Sequence, residues 1–197
     1  MMLEGLLVDL VPLNKPFREL EHKWRNHVAS WWASGGEWPI TTKAALERQQ
    51  AEWLEWKSNN EGVRGVPFGI QTKDGQPLGY FGINWIAEPH RLAMLGAKIG
   101  EPEYWGGGYG TDALLLLVDY AFDWLDIRKC WLMTTSMNDR VQRQMEKVGF
   151  MFEVRQRKGA LAEGKWYDWL AYGLMREEWP GRAAMLEKLG LEARVKA

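Results

Sequence analysis

Residues 105 to 111 read Trp105, Gly106, Gly107, Gly108, Tyr109, Gly110 and Thr111, a composition suited to holding an anion. Consecutive glycines remove side chains, so main-chain N–H groups can approach a phosphate closely. A helix starting at the end of the run would add its unpaired N–H groups and the positive end of its dipole. A pyrophosphate suits such a nest. A flexible turn that merely caps a helix has the same composition, so other phosphate-binding patterns have to be tested on the residues themselves. The P-loop needs lysine before its Ser or Thr, whereas Gly110 precedes Thr111, and that reading fails. The dinucleotide pattern G-x-G-x-x-G/A is met formally by Gly108, Gly110 and Ala113. It also calls for an acidic residue about 20 positions on, where the chain has Met133 among Leu132, Thr134 and Thr135. A nicotinamide dinucleotide enzyme therefore stays a rival with the wrong context.

The elements that must position this run follow from periodicity. Leu6 to Leu13 is a short apolar stretch closed by Pro12 and Asn14 and reads as an opening strand. From Pro16 to about Trp32, Phe17, Leu20, Trp24, His27, Val28 and Trp31 recur at spacings of three and four, one buried helix face ended by Ser34, Gly35 and Gly36. Thr41 or Thr42 can cap a second helix with Leu46, Gln49, Trp53 and Trp56 on its seam. Strands at Val66–Thr72 and Pro77–Ile86 flank an Asp74–Gly75 hairpin signal, and Leu92–Ile99 makes a third. After the glycine run the pattern turns helical from Thr111 to Leu125. Asp112, Asp119 and Asp123 form a narrow polar stripe on that otherwise apolar cylinder. Arg128–Met137 reads as a strand. Asn138 can cap a helix bearing Val141, Met145 and Val148, with Gly149 as its stop. Phe150–Arg157 and Trp166–Met175 form a last hairpin, and an amphipathic helix follows Pro180. Domain organisation is expected as one domain over 1–180 with a tail helix over 181–197. The order gives an α/β (α+β) architecture, helices against a largely antiparallel sheet.

Composition bounds the partners. Lysine plus arginine (25) nearly balance aspartate plus glutamate (26) over 197 residues, so no global basic field draws the chain to nucleic acid or anionic lipid. The single Cys130 can build neither an internal disulfide nor a zinc cluster, and a reducing cytoplasm suits it. No apolar stretch reaches the roughly 18 residues of a membrane span, and residues 1–13 lack a basic export signal. Thirteen tryptophans, six of them between Trp24 and Trp56, can pack a helical subregion or line an aromatic pocket.

The motifs carry a resemblance. Pro102 to Ala113 reads PEYWGGGYGTDA and resembles the signature of the GNAT acetyltransferases, in the branch typified by ribosomal-protein N-terminal acetyltransferases. The superfamily's R/Q-x-x-G-x-G/A loop is met with Trp105 in its first position. Asn138, Arg143, Glu146, Lys147, Gly149 and Phe150 are similar to the second motif, with Val141 in place of its small residue. Gly164, Tyr167, Asp168, Glu178 and Trp179 are similar to the closing hairpin. The resemblance covers Leu6 to Trp179 and implies a mixed sheet of about six to seven strands with helices on both faces. It further implies direct transfer of an acetyl group from acetyl-coenzyme A to a primary amine, on a small molecule or a protein N-terminus. No metal, nucleic acid or membrane enters this reading, and the chain is expected as a monomer or homodimer. A noncatalytic acyl-CoA-binding protein of the same fold is the alternative.

By resemblance, Lys98, Ile99 and Gly100 hydrogen-bond the pantetheine arm and Gly106 to Thr111 hold the pyrophosphate, with Asn138 and Arg143 as further coenzyme contacts. The tyrosine that serves many members as general acid is replaced by Met145. Ser136 is a weak substitute donor. Glu103, Glu88 and Glu37 are candidates to strip the acceptor's ammonium, with His90 behind them. The acceptor pocket is expected between the early helices and the splayed strands, walled by Trp31, Trp32, Glu37, Trp38, Asn84, Trp85, Glu88 and Asp168. Aromatic faces beside carboxylates would suit a cationic amine.

Overall fold

The structure is a computed structural model that describes residues 2–27, 41–59 and 64–193. Among these residues eight strands form one sheet: β1 (Leu3–Glu4), β2 (Val8–Pro12), β3 (Arg64–Thr72), β4 (Pro77–Ala87), β5 (Leu92–Ile99), β6 (Lys129–Thr135), β7 (Met151–Ala162) and β8 (Lys165–Met175). Their spatial order is β1-β2-β3-β4-β5-β6-β8-β7. Every neighbouring pair is antiparallel except β5 and β6. The count exceeds the expected six to seven, with the short β1 pairing onto β2 at the edge. The one parallel pair, β5 and β6, sits in an otherwise antiparallel sheet and parts after Met94↔Trp131, unlike the continuous parallel sheet that the dinucleotide-fold rival requires.

Among the described residues five helices accompany the sheet: α1 (Lys15–Asn26), α2 (Lys43–Asn59), α3 (Tyr109–Asp119), α4 (Asp139–Val148) and α5 (Arg182–Leu189). Strand alternation places helices on both faces. On β2, Val8 and Leu10 join the main core with α3, while Val11 packs with Phe17 and Trp24 of α1 on the opposite face. Helix α1 ends at Asn26, earlier than its periodicity suggests. The Asn26 side chain closes that end, donating to His22 O and Thr41 O and accepting from Thr41 N–H. Thr42 caps α2, its hydroxyl accepting from Ala45 N–H at 3.2 Å. At the 72–77 turn Gly75 takes φ 85°, a conformation glycine adopts without strain.

Helix α3 is the centre of the core: every residue from Asp112 to Val118 is buried. It continues into a wider π-type turn over Tyr120–Trp124. The polar stripe is a docking seam. Asp112, fully buried, accepts from Leu7 N–H at 2.7 Å, from Val8 N–H at 3.2 Å and from the Arg182 guanidinium at 3.0 Å. One turn pair further along, Asp119 accepts from the Trp179 indole and Arg182 N–H. The two carboxylates therefore clamp the start of the sheet and the C-terminal helix onto α3, and α5 packs its Met185 into the same core. The tail over 181–193 is thus built into the domain.

Candidate active site

Strands β5 and β6 pair only from Leu92↔Lys129 to Met94↔Trp131. Beyond that point β5 runs on to Ile99 alongside β4 alone, and β6 runs on to Thr135 alongside β8 alone. Two parallel strands that part in this way leave a V whose inner edges carry main-chain donors and acceptors. An extended, amide-bearing ligand can add there as a strand would.

The glycine run sits at the tip of β5. A single turn over Pro102–Tyr104 leads to Trp105, whose indole N–H donates to Ile99 O at 2.9 Å. That bond pins the loop to the strand end. The Arg140 guanidinium lies over the Trp105 ring at 4.7 Å, a cation–π contact that brings a positive charge to the loop. Gly106 and Gly108 take φ of 79° and 89°, and α3 begins at Tyr109, with Asp112 N–H to Gly108 O as its first turn bond at 2.9 Å. Gln144 of α4 reaches Thr111 Oγ1 at 3.4 Å, and Tyr104 stacks edge-on against Tyr109.

The two positive-φ glycines face different surroundings. A Cβ on Gly106 would meet nothing within 4 Å, whereas one on Gly108 would lie 2.9 Å from Leu191 and 3.2 Å from Leu7. The Gly106 side of the loop is thus open main chain at the N-terminus of a buried helix, with a guanidinium beside it. These features fit a pyrophosphate.

At the far arm of the V, Ser136 and Asp168 exchange main-chain and side-chain bonds. Ser136 N–H donates to Asp168 O at 2.8 Å, and Asp168 N–H donates to the Ser136 hydroxyl at 3.0 Å. The Asp168 carboxylate accepts from Lys158 N–H and pairs with Arg155 at 3.7 Å. It thereby holds a bulge in β7 between Gln156 and Ala160, where Lys158 takes φ 54°. Asn138 caps α4, its side chain accepting from Val141 N–H at 3.3 Å. Met145 is buried in the core and offers no acid proton. Thr135 Oγ1, next to Ser136, is buried without a hydrogen-bond partner among the described residues.

On the other face of the sheet, under α1 and α2, lies a cavity of about 460 Å³. Phe17, Leu46, Phe81 and Ile83 give it an apolar lining; Arg18, Glu21 and Arg25 enter from α1, and Gln49 and Gln50 from α2. Gly96 lines it as well and lies on the part of β5 that has left β6, so cavity and V share a wall. Tyr80 and Lys98 are register partners on β4 and β5. Burial first, then the Glu21 carboxylate, pushes the Tyr80 phenol up to about 12, with Arg25 acting against them. Burial first, then Arg25, brings the Lys98 ammonium down to about 8, with Glu21 opposing. Glu101, just past β5, accepts from Lys23 Nζ and the Trp24 indole at 2.7 and 2.9 Å. Burial acts to raise its pKa, but these donors outweigh it and hold the carboxyl below its ordinary range.

The residues expected from the sequence fall into three groups. Ile99, Gly100, Trp105 and Gly106 to Thr111 converge at the strand tip, and Asn84 lines the cavity. Lys98 belongs to the cavity side, its side chain buried beneath α1. Trp85 packs edge-on against Trp131 at 5.6 Å, Glu88 is exposed on the turn after β4, and Asp168 is committed to the β7 bulge. Glu103 and Arg143 are exposed. Trp31, Trp32, Glu37 and Trp38 lie outside the described residues. Sequence reasoning missed Arg140, Glu21, Arg18 and Arg25. The i, i+3, i+7 spacing of the last three along α1, off its apolar face, was the available signal.

Comparisons with known proteins agree with this geometry. The family described as "Acetyltransferase (GNAT) domain" matches residues 10–151. YdaF of Bacillus subtilis (strain 168), provisionally named a ribosomal N-acetyltransferase, is 27% identical over 127 residues, 64% of this chain and 68% of that protein. Mycobacterium smegmatis RimJ in complex with CoA-disulfide superposes with a TM-score of 0.77 at 22% identity, covering 96% of this chain and 93% of that one. The spermidine N-acetyltransferase of Vibrio cholerae, solved with CoA and spermine, superposes with a TM-score of 0.75 at 19% identity, covering 87% and 96%. At these identities the two structures share the fold.

Proposed function

The chain belongs to the acetyltransferase (GNAT) domain family, and on that premise we propose that it acetylates a primary amine, on a small molecule or a protein N-terminus, with acetyl-coenzyme A as donor. The observation that carries this reading is the continuity of the β5–β6 gap with the glycine loop pinned at Ile99 by Trp105. The unpaired β5 edge would hold the pantetheine arm, and main chain from Gly106 to Thr111, with Arg140 beside it, the pyrophosphate. The coenzyme supplies an activated acyl thioester. The chain's own part would be positioning and polarisation: main-chain N–H groups on the β5 edge would polarise the acyl oxygen, and the shared wall at Gly96 would let an amine in the cavity approach it. The nitrogen must arrive neutral. Among the described groups around the cavity, Glu21 is the carboxylate placed to take its proton, directly or through water. Ser136 carries a hydroxyl just past the end of the β6 arm. Cys130, buried with its thiol pushed up to about 12 by burial, is inert in this chemistry, and a cytoplasmic setting suits it.

One feature favours the second reading, a noncatalytic acyl-CoA binder: Met145, buried in the core, fills the place of the family's acid. Mass spectrometry of the protein with acetyl-CoA and an amine library separates the two. Acetylated product appearing with any amine establishes transfer. Calorimetric binding of CoASH without turnover of any amine establishes the binder, and the absence of CoASH binding ends both.

A further inference from the structure

The cavity beneath α1 is charged in a way that a simple amine does not require. Arg18, Glu21 and Arg25 follow one another along a single face of α1 and all line it. Two guanidiniums therefore flank one carboxylate, and that carboxylate already accepts a hydrogen bond from the Gln50 amide. Lys98 lies buried beneath the same wall and responds electrostatically to both Arg25 and Glu21. Among the described residues around the cavity, cationic groups thus outnumber anionic ones. A polyamine would bring a second ammonium against a guanidinium, and the described lining holds no second carboxylate to receive it. A zwitterion matches the pattern: its anion meets an arginine fork, which binds carboxylate or phosphate oxygens in pairs, and its nitrogen lies one helical turn away at Glu21. Leu13, Phe17, Leu46 and Phe81 add an apolar portion to a lining that also holds the neutral polar Gln49, Gln50, Tyr80 and Asn84, and about 460 Å³ accommodates a body of amino-acid to dipeptide size.

Resting on the acetyl-transfer reading, we infer that the acceptor is a primary amine bearing a carboxylate or phosphate on an apolar body, the anion held by Arg18 and Arg25. The test is calorimetric binding to the full chain saturated with CoASH. The panel is L-phenylalanine, L-leucine and L-methionine, their matched decarboxylated amines, dipeptides beginning with aspartate or glutamate, and spermidine. The expected result is at least about tenfold tighter binding of carboxylate-bearing members than of their decarboxylated partners. Arg25→Gln and Arg18→Gln are each expected to shrink that preference to below about threefold while leaving CoASH affinity unchanged. Tightest binding of the acidic dipeptides would assign the anion to a peptide acceptor, and of the amino acids to a small molecule; both support the inference. Equal or tighter binding of the decarboxylated amines or spermidine, no binding by any carboxylate-bearing member, or a preference that persists in both variants overturns it. Failure of acetyl transfer is read separately, as absence of thioester consumption with every amine, and is independent of the binding preference.

Discussion

Gly106 and Gly108 share a left-handed backbone, yet the structure separates what each is for, and alanine at the two positions should give opposite phenotypes. At Gly106 the added methyl meets nothing within 4 Å. The variant should lose only the cost of forcing an L-residue to φ 79°, about 1–2 kcal/mol, or a Tm fall of about 4 °C for a chain of this size. That methyl occupies the open side where a pyrophosphate would contact main chain, so the CoASH Kd should rise by about tenfold or more. At Gly108 the same backbone cost is joined by overlap with Leu191 at 2.9 Å and Leu7 at 3.2 Å. Both are flexible side-chain ends, so overpacking adds only about 1 kcal/mol. The Tm of Gly108→Ala should therefore fall by about 8 °C, while its CoASH affinity, measured on folded protein, stays within about threefold of wild type. Differential scanning calorimetry and titration calorimetry give the two readouts. Wild-type CoASH affinity in Gly106→Ala, or a Tm in Gly108→Ala no lower than in Gly106→Ala, would refute the assignment of the open face.

Three further outcomes follow from other contacts. Trp105→Phe keeps a ring under Arg140 but deletes the indole bond to Ile99 O; a loss of about 1 kcal/mol should weaken CoASH about fivefold by calorimetry. Glu101→Gln should cost about 1.5–3 kcal/mol in urea denaturation at pH 7, where the charged carboxylate receives Lys23 and Trp24. Because the folded-state pKa lies below the unfolded one, that stabilisation is present above the ordinary carboxylate range and lost as pH falls through the folded value; the difference between variant and wild type should close at low pH, and a gap that persists there would contradict it. Asp112→Ala leaves Arg182 and two main-chain N–H groups without their buried acceptor and should destabilise by about 3–5 kcal/mol in the same assay, with CoASH binding retained by the fraction that folds.

Local chemistry in the sequence determined the elements and the glycine loop. The Asp74–Gly75 turn, the Asn138 cap, the Gly149 stop and the apolar cylinder from Ala113 all form where periodicity and turn residues place them, because each depends on neighbours a few positions away. The glycine run was legible for the same reason. Tertiary structure alone decided what lies between elements distant along the chain. The Trp105 indole bond to Ile99 O crosses the loop to the strand end. The stripe of Asp112 and Asp119, on its face a solvent edge, clamps residues 60 and 70 positions away. Trp85 and Asp168, plausible as pocket walls by type, turn instead to Trp131 and the β7 bulge. The charged wall of the cavity is formed by α1, whose polar spacing looks like any solvated helix face until β4 and α2 close over it. Pairing over such separations depends on which faces the sheet brings together, and periods of two and 3.6 residues carry no record of that.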